Sequence, residues 1–368
     1  GASAFYLALF ARRYTRSTWI ASGFVLASLY ATFWWNFLRA HTFEIFVTLF
    51  LLAFAFHFLK ALRSENRRLH LLVAAVYLGA LCLSKSVYLI LIPPTFLASL
   101  YARSTSSFGR PWRMTVDHLV YFYIPLSFLL GVMLWSNWYR FGSPFTNGYL
   151  QYEHAVLHWN VGPALLGYLF AKQKSMFLYF PVLIFAFVSW RAFAKKYRGD
   201  ALLIGGLGLV VFTFNSAYPY WEGGPCYGPR YLLPVLPLLS LPFIGFLEWM
   251  SRLARPTARR FILGATAATL VYSCALQVGV NSLPFFFRFQ LFRMAENTGV
   301  DAPQHYFRTR TIGTVNLEYI FYSLGYPSPM TRNFVGYLNS TDVGLLQIKR
   351  LQTPANYYWF AKPFLRED

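Results

Sequence analysis

The chain is poor in acid. Its 368 residues hold 13 Asp and Glu, and charged residues of either sign make up only 12%. A soluble globular domain carries about twice that fraction, so ordinary aqueous packing is excluded. Three cysteines cannot build a disulfide framework. Cys82 and Cys274 lie in apolar runs and read as packing residues, while Cys226 lies in a loop without a second cysteine near it. No low-complexity tract, heptad pattern or internal repeat is present. Disorder is excluded by what is abundant: 57% of residues are hydrophobic, 20% are aromatic, and the mean hydropathy is +0.41.

The class that remains is an all-α polytopic membrane protein. Apolar runs predict spans near 19–37, 43–60, 69–84, 86–102, 116–136, 176–191, 201–217, 231–249 and 261–280. The run at 1–10, GASAFYLALF, reads as the last turns of a further helix, for about ten in all. The segments lack the two-residue alternation of a membrane barrel. Two parts follow: a transmembrane region over 1–280 and a more polar segment over 281–368.

The net charge of +20 is distributed unevenly. Loops 11–18, 60–69, 103–115, 191–200 and 250–260 hold 18 Lys and Arg, whereas the alternate short loops hold 6: Arg39, Lys85, Arg140, Lys172, Lys174 and Arg230. The positive-inside rule places the first set in the cytoplasm and the C-terminal segment outside. That asymmetry accounts for the basicity without a nucleic-acid partner. The first residue is Gly, not Met, and no signal-peptide pattern is present, so the expectation is that the natural chain extends upstream by a helix and an outer loop.

The outer loops carry the chemistry. Tyr218 to Pro237 reads YPYWEGGPCYGPRYLLPVLP. Gly223, Gly224 and Gly228 permit positive φ and close backbone approach, and Arg230 opens an apolar helix at the outer face. An Arg fork beside loop amides suits a phosphate. An Arg that snorkels to lipid headgroups is the alternative. A second loop, RFGSPFTNGY at 140–149, leaves a helix, and KSMFLYFP at 174–181 re-enters the membrane. Lys172 and Lys174 at that boundary read as phosphate-attracting cations or as anchors. Glu153, His154 and His158 have ligand-like spacing, but their short loop supplies no further ligand, and it reads as solvated.

These three stretches resemble a family of bacterial integral-membrane glycosyltransferases of the GT-C superfamily. The group includes glycosyltransferase family 39, the protein O-mannosyltransferases and the aminoarabinose transferases. The family pattern is an RFGSP…GY loop, a helix entry ending Y-P, and a W-GG…GPRYL-P-LP loop. It is matched here in order and spacing over about residues 1–250, with Trp221 opening the last motif. Lys85 in LSKSVY resembles the family's lysine at a short outer turn. Glu44 resembles an acid that often begins the helix after the second outer loop. Cys226 stands where the family often has Ser, and Glu222 occupies a variable position.

The resemblance implies a GT-C-like helical bundle in a bacterial inner membrane, with an extracytoplasmic C-terminal segment. It implies transfer of a sugar from a polyprenyl-phosphate donor drawn from the membrane lipid to an extracytoplasmic acceptor, whether glycan, lipid or protein. Donor-phosphate contacts then fall to Arg230 and Lys85, with Lys172 and Lys174 as weaker candidates. No metal ligand is assigned; a divalent metal is compatible with the chemistry and not required by it. The family's catalytic acid lies in the first outer loop, which would precede Gly1. Glu44 and Glu222 are the substitutes within this chain. Two other functions stand beside this one. The first is a non-catalytic GT-C-like subunit with partners in a membrane complex. The second is a lipid-linked sugar flippase, although the spans have almost no ionisable residues at mid-membrane.

Overall fold

A computed structural model describes residues 1–40, 42–64, 66–105, 111–146, 157, 161–171, 174–219, 221, 223 and 228–281. Among these residues the fold is all-helical and no strand occurs. Six helical stretches among the described residues are long and apolar enough to cross a membrane. They are α4 (Phe43–Ala61), α5 (Arg67–Ser84), the stretch Ser86–Ser104, the stretch Trp112–Phe141, α12 (Arg198–Ala217) and α15, whose apolar part runs Pro256–Val278. Ser86–Ser104 is a 3-10 turn continued by α6 (Ile92–Thr105). Trp112–Phe141 is α7 (Pro111–His118) and α8 (Ile124–Phe141), joined through a π-helical turn at Leu119–Tyr123.

Exposed apolar side chains cover the outer faces of these helices. Phe128, Leu209 and Val271 are each about two-thirds exposed or more. Such faces suit lipid, where exposing an apolar side chain carries no hydrophobic cost. Small residues let the helices approach closely: a Cβ at Gly79 in α5 would collide with Leu129 of α8, and one at Gly208 in α12 with Leu239.

Three of the expected spans are interrupted. The span expected at 19–37 divides into α2 (Thr18–Tyr30) and α3 (Trp34–Ala40). At the break the Thr32 hydroxyl donates to the Ser28 carbonyl at 2.6 Å, and the Phe33 amide donates out of the segment to the Tyr179 carbonyl at 2.9 Å. The span expected at 176–191 divides at Phe180-Pro181 into α10 (Met176–Tyr179) and α11 (Val182–Lys196). The span expected at 231–249 divides into a 3-10 turn at Arg230–Leu232, α13 (Leu236–Leu239) and α14 (Pro242–Ser251). Pro234, Pro237 and Pro242 lack the amide that a continuous helix needs. The remaining elements are α1 (Ala2–Tyr14) and α9 (Gly162–Phe170).

Side-chain contacts sort the loops by end. Asp200, 1% exposed, begins α12 and binds Arg13 of α1 at 3.1 Å, Arg63 after α4 at 2.8 Å and the Tyr14 hydroxyl at 2.9 Å. Asp117 of α7 takes Arg68 at 3.0 Å and Arg67 at 3.8 Å. The basic loops therefore gather at one end of the bundle. Arg230, Glu44, Lys85 and Asn137 gather around one cavity at the other.

The two aspartates differ in burial, and that difference sets a prediction. Asp200→Asn leaves Arg13, whose side chain is only 16% exposed, without its counter-charge. Breaking a buried pair this way costs about 3–5 kcal/mol. Asp117→Asn frees Arg68, which is 64% exposed and screened by solvent, and Arg67, whose contact at 3.8 Å is long, at a cost of about 1 kcal/mol. Thermal unfolding in detergent should show a large drop in Tm for Asp200→Asn and a small one for Asp117→Asn. Equal drops would refute the ranking.

Candidate functional site

The 3-10 turn at Arg230–Leu232 presents Arg230 to a cavity of about 490 Å³. The turn is positioned from behind. Gly228 has φ +69°, and a Cβ there would lie 3.0 Å from the Phe33 ring. A side chain at this position is strained by both backbone and neighbour. The Lys174 ammonium donates to the Gly228 carbonyl at 3.4 Å, and Lys174 is 6% exposed. Lys174 thus braces the glycine loop and is not among the residues lining the cavity. Trp221 braces the same loop: its ring fills the space over Gly167 of α9, and its carbonyl accepts from the Tyr168 hydroxyl at 2.6 Å. Gly223 also has positive φ, +71°. Gly224, Glu222, Lys172, Glu153, His154 and His158 lie outside the described residues.

Glu44 reaches the cavity from the first turn of α4, where a carboxylate is favoured by the helix dipole. Its Oε1 lies 3.6 Å from Arg230 Nε. Arg230 also donates to the Tyr231 hydroxyl at 3.2 Å and stacks over that ring at 4.9 Å. Lys85 enters from the extended residue that ends α5, with its ammonium 5.3 Å from the Phe43 ring centre and 6.0 Å from that of Tyr231. Burial lowers the Lys85 pKa from its ordinary value; Glu44 opposes the shift and Arg230 adds to it.

The RFGSP loop supplies the facing wall. Gly142, with φ +73°, ends α8 in the left-handed conformation. The Asn137 amide then donates to the Pro144 carbonyl at 3.2 Å, folding Pro144 and Phe145 over the cavity. Apolar side chains, among them Leu89, Met133, Leu134 and Phe214, line much of the remaining surface. The result is an amphipathic chamber: two cations and one carboxylate at one side, hydrocarbon walls at the other. Such a chamber fits an anionic head on an apolar tail.

The sequence singled out Glu44, Lys85 and Arg230, and the fold brings all three together. It did not single out Asn137, Asn215 or Tyr231, which line the same cavity. Asn137 stands directly before the WYRFGSP segment, and a polar residue at the end of an apolar span was the signal available. Compared with the known protein families, with curated proteins and with solved structures, the chain matches none.

Two predictions follow from this geometry. Gly228→Ala should lower Tm by the equivalent of about 1–3 kcal/mol, the usual cost of a strained left-handed residue. An unchanged Tm would show that the loop relaxes. Lys85 attracts an anion while protonated and ceases to as pH rises through its lowered pKa. Binding of a phosphodiester amphiphile, whose own charge is constant, should therefore weaken before the ordinary lysine range near pH 10 is reached. Lys85→Arg keeps its charge and should abolish that alkaline fall. Titration calorimetry across pH reads both, and an identical profile in the variant would count against Lys85.

Proposed function

We propose that the chain is an integral-membrane glycosyltransferase of a bacterial inner membrane. It spans the membrane about ten times, its basic end faces the cytoplasm, and its 281–368 segment lies outside. It moves a sugar from a polyprenyl-phosphate donor to an extracytoplasmic glycan, lipid or protein. One observation carries the reading: Glu44, Lys85 and Arg230, which come from three distant parts of the sequence, line one apolar-walled cavity. Arg230 lies in one of the loops that resemble the glycosyltransferase motifs, and Lys85 and Glu44 stand where the resemblance implies a lysine and an acid.

In this reading the donor phosphate sits between Arg230 and Lys85, and the prenyl chain follows the hydrocarbon wall. The acceptor hydroxyl oxygen attacks the anomeric carbon. The bond from that carbon to the phosphate oxygen breaks, and the phosphate leaves with the electron pair. Arg230 and Lys85 stabilise the charge that develops there, which is electrostatic catalysis by pre-placed donors. A carboxylate takes the hydroxyl proton, a step that requires hydrogen-bond reach of about 2.6–3.2 Å. Among the described residues, Glu44 is the acid that lines the cavity. In the free site it also holds the Arg230 fork in place.

Arg230→Ala removes a charged hydrogen bond worth about 1.5–3 kcal/mol, so donor affinity should fall roughly ten- to a hundredfold. Arg230→Lys should recover only part, because lysine lacks the planar fork. Equilibrium binding of a polyprenyl-phosphate sugar to protein in detergent reads the change. Unchanged affinity in a folded Arg230→Ala protein rejects the assignment. Donor binding with no transfer to any acceptor would move the protein to the flippase or non-catalytic subunit reading.

A further inference from the structure

The basic end of the bundle holds a second cavity, of about 530 Å³, between the α1–α2 turn, the end of α11 and the end of α14. Five of its lining residues are cationic: Arg12, Arg13, Arg16, Lys196 and Arg252. Only Glu248 is acidic. Two of the cations are compensated, Arg13 by Asp200 at 3.1 Å and Arg252 by Glu248 at 3.7 Å. The others are not. Arg12 donates to neutral oxygens, the Arg16 carbonyl and the Thr18 hydroxyl, both at 3.1 Å. Lys196 lies 5.0 Å from the Tyr197 ring centre. No described carboxylate forms an ion pair with Arg12, Arg16 or Lys196.

Arg12, Arg16 and Lys196 are exposed and line one concavity, so water screens their repulsion in part and an anion among them would lower it further. The depth of the cavity points to the same conclusion. Trp19, beside the α1–α2 turn, is 89% exposed, and Trp249, next to Glu248, is 51% exposed. Exposed indoles of this kind mark the boundary between headgroups and hydrocarbon. A basic pocket between helices at that boundary suits a lipid headgroup.

We propose that this cavity is a binding site for a phosphate group, held by Arg12, Arg16 and Lys196. The phosphate is carried either by an anionic phospholipid at the membrane surface or by a soluble phosphate compound. The site lies at the opposite end of the bundle from the Glu44–Lys85–Arg230 cavity, and the inference does not depend on glycosyl transfer.

The test uses the full chain in a zwitterionic detergent, with phosphatidylglycerol, phosphatidylcholine and inorganic phosphate as probes. Native mass spectrometry counts retained lipid, and a thermal shift reads protection. Wild type should retain and be stabilised by phosphatidylglycerol and not by phosphatidylcholine. Arg16→Gln with Lys196→Gln should weaken that binding by roughly thirtyfold, the effect of two interfacial cations. Arg103→Gln with Arg113→Gln removes equal charge from the same end outside the cavity and should leave binding within about twofold of wild type. Should the first pair fail to fold, Lys196→Gln alone, at an exposed helix end, should still weaken binding about fivefold. Phosphatidylglycerol binding that inorganic phosphate does not displace identifies a lipid headgroup. Protection by inorganic phosphate itself, with displacement of the lipid, identifies a soluble phosphate ligand. Either result supports the site. It is overturned if no probe binds, if the cavity variants bind as wild type does, or if the control pair loses as much as the cavity pair.

Discussion

The amide of Phe33 donates to the carbonyl of Tyr179 at 2.9 Å, and the geometry of the cavity depends on that bond. Both groups sit where a helix has broken: Phe33 between α2 and α3, Tyr179 at the end of α10. In a bilayer, an unsatisfied backbone group costs several kcal/mol, so irregular backbone survives only where protein satisfies it. The two breaks satisfy each other. Close by, the Ala31 carbonyl accepts from the Ser273 hydroxyl of α15 at 2.6 Å. Gly228 then packs against the same Phe33 ring and against Tyr179. Two residues on, the chain delivers Arg230 to the cavity. A residue with a side chain at 228 would push the loop off this seat, and Arg230 would move with it.

Acid is the scarce resource, and its placement follows the cost of burying charge. Each described acid among Glu44, Asp117, Asp200 and Glu248 sits within ion-pair distance of an arginine. Asp200 is the most enclosed and is also the most heavily partnered, with two guanidiniums and a tyrosine hydroxyl around one carboxylate. That arrangement fits the rule that a buried ion persists only when its lone pairs are filled. Its partners come from two other loops, so with its own segment the cluster fixes α1, α4 and α12 relative to one another. The same three loops carry basic residues that the sequence read only as an orientation signal.

How much was legible in the sequence varies by element for physical reasons. The continuous spans were legible because a long apolar run needs no tertiary information. The breaks at Pro181 and at Pro234–Pro242 carried a local signal, a missing amide, yet hydropathy averaged over a window hides it. The break at Ala31–Phe33 contains neither Gly nor Pro, and what holds it open is the long-range bond to Tyr179. For the cavity, residue type and loop position located Arg230, and the family resemblance added Lys85 and Glu44. Lys174 shows the limit of that reasoning. Its position at a span boundary marked it as a phosphate ligand or an anchor, while its ammonium turns inward to the Gly228 carbonyl. Direction along a side chain is set by packing and leaves no trace in spacing.

The two cations of the cavity are not duplicates. Arg230 stays charged at any physiological pH, spreads that charge over a plane and rests it on the Tyr231 ring. It therefore keeps the chamber positive even when hydrocarbon surrounds it. Lys85 is a point charge whose pKa burial lowers, with Glu44 opposing the shift and Arg230 adding to it. An anion between the two would restore what desolvation took from Lys85, by the same Coulombic effect that Glu44 already exerts on it. Arg230 thus makes the chamber attractive to an anion before one arrives, and Lys85 strengthens once it has. In the proposed transferase the pair would hold a donor phosphate by a planar fork on one side and a point charge on the other.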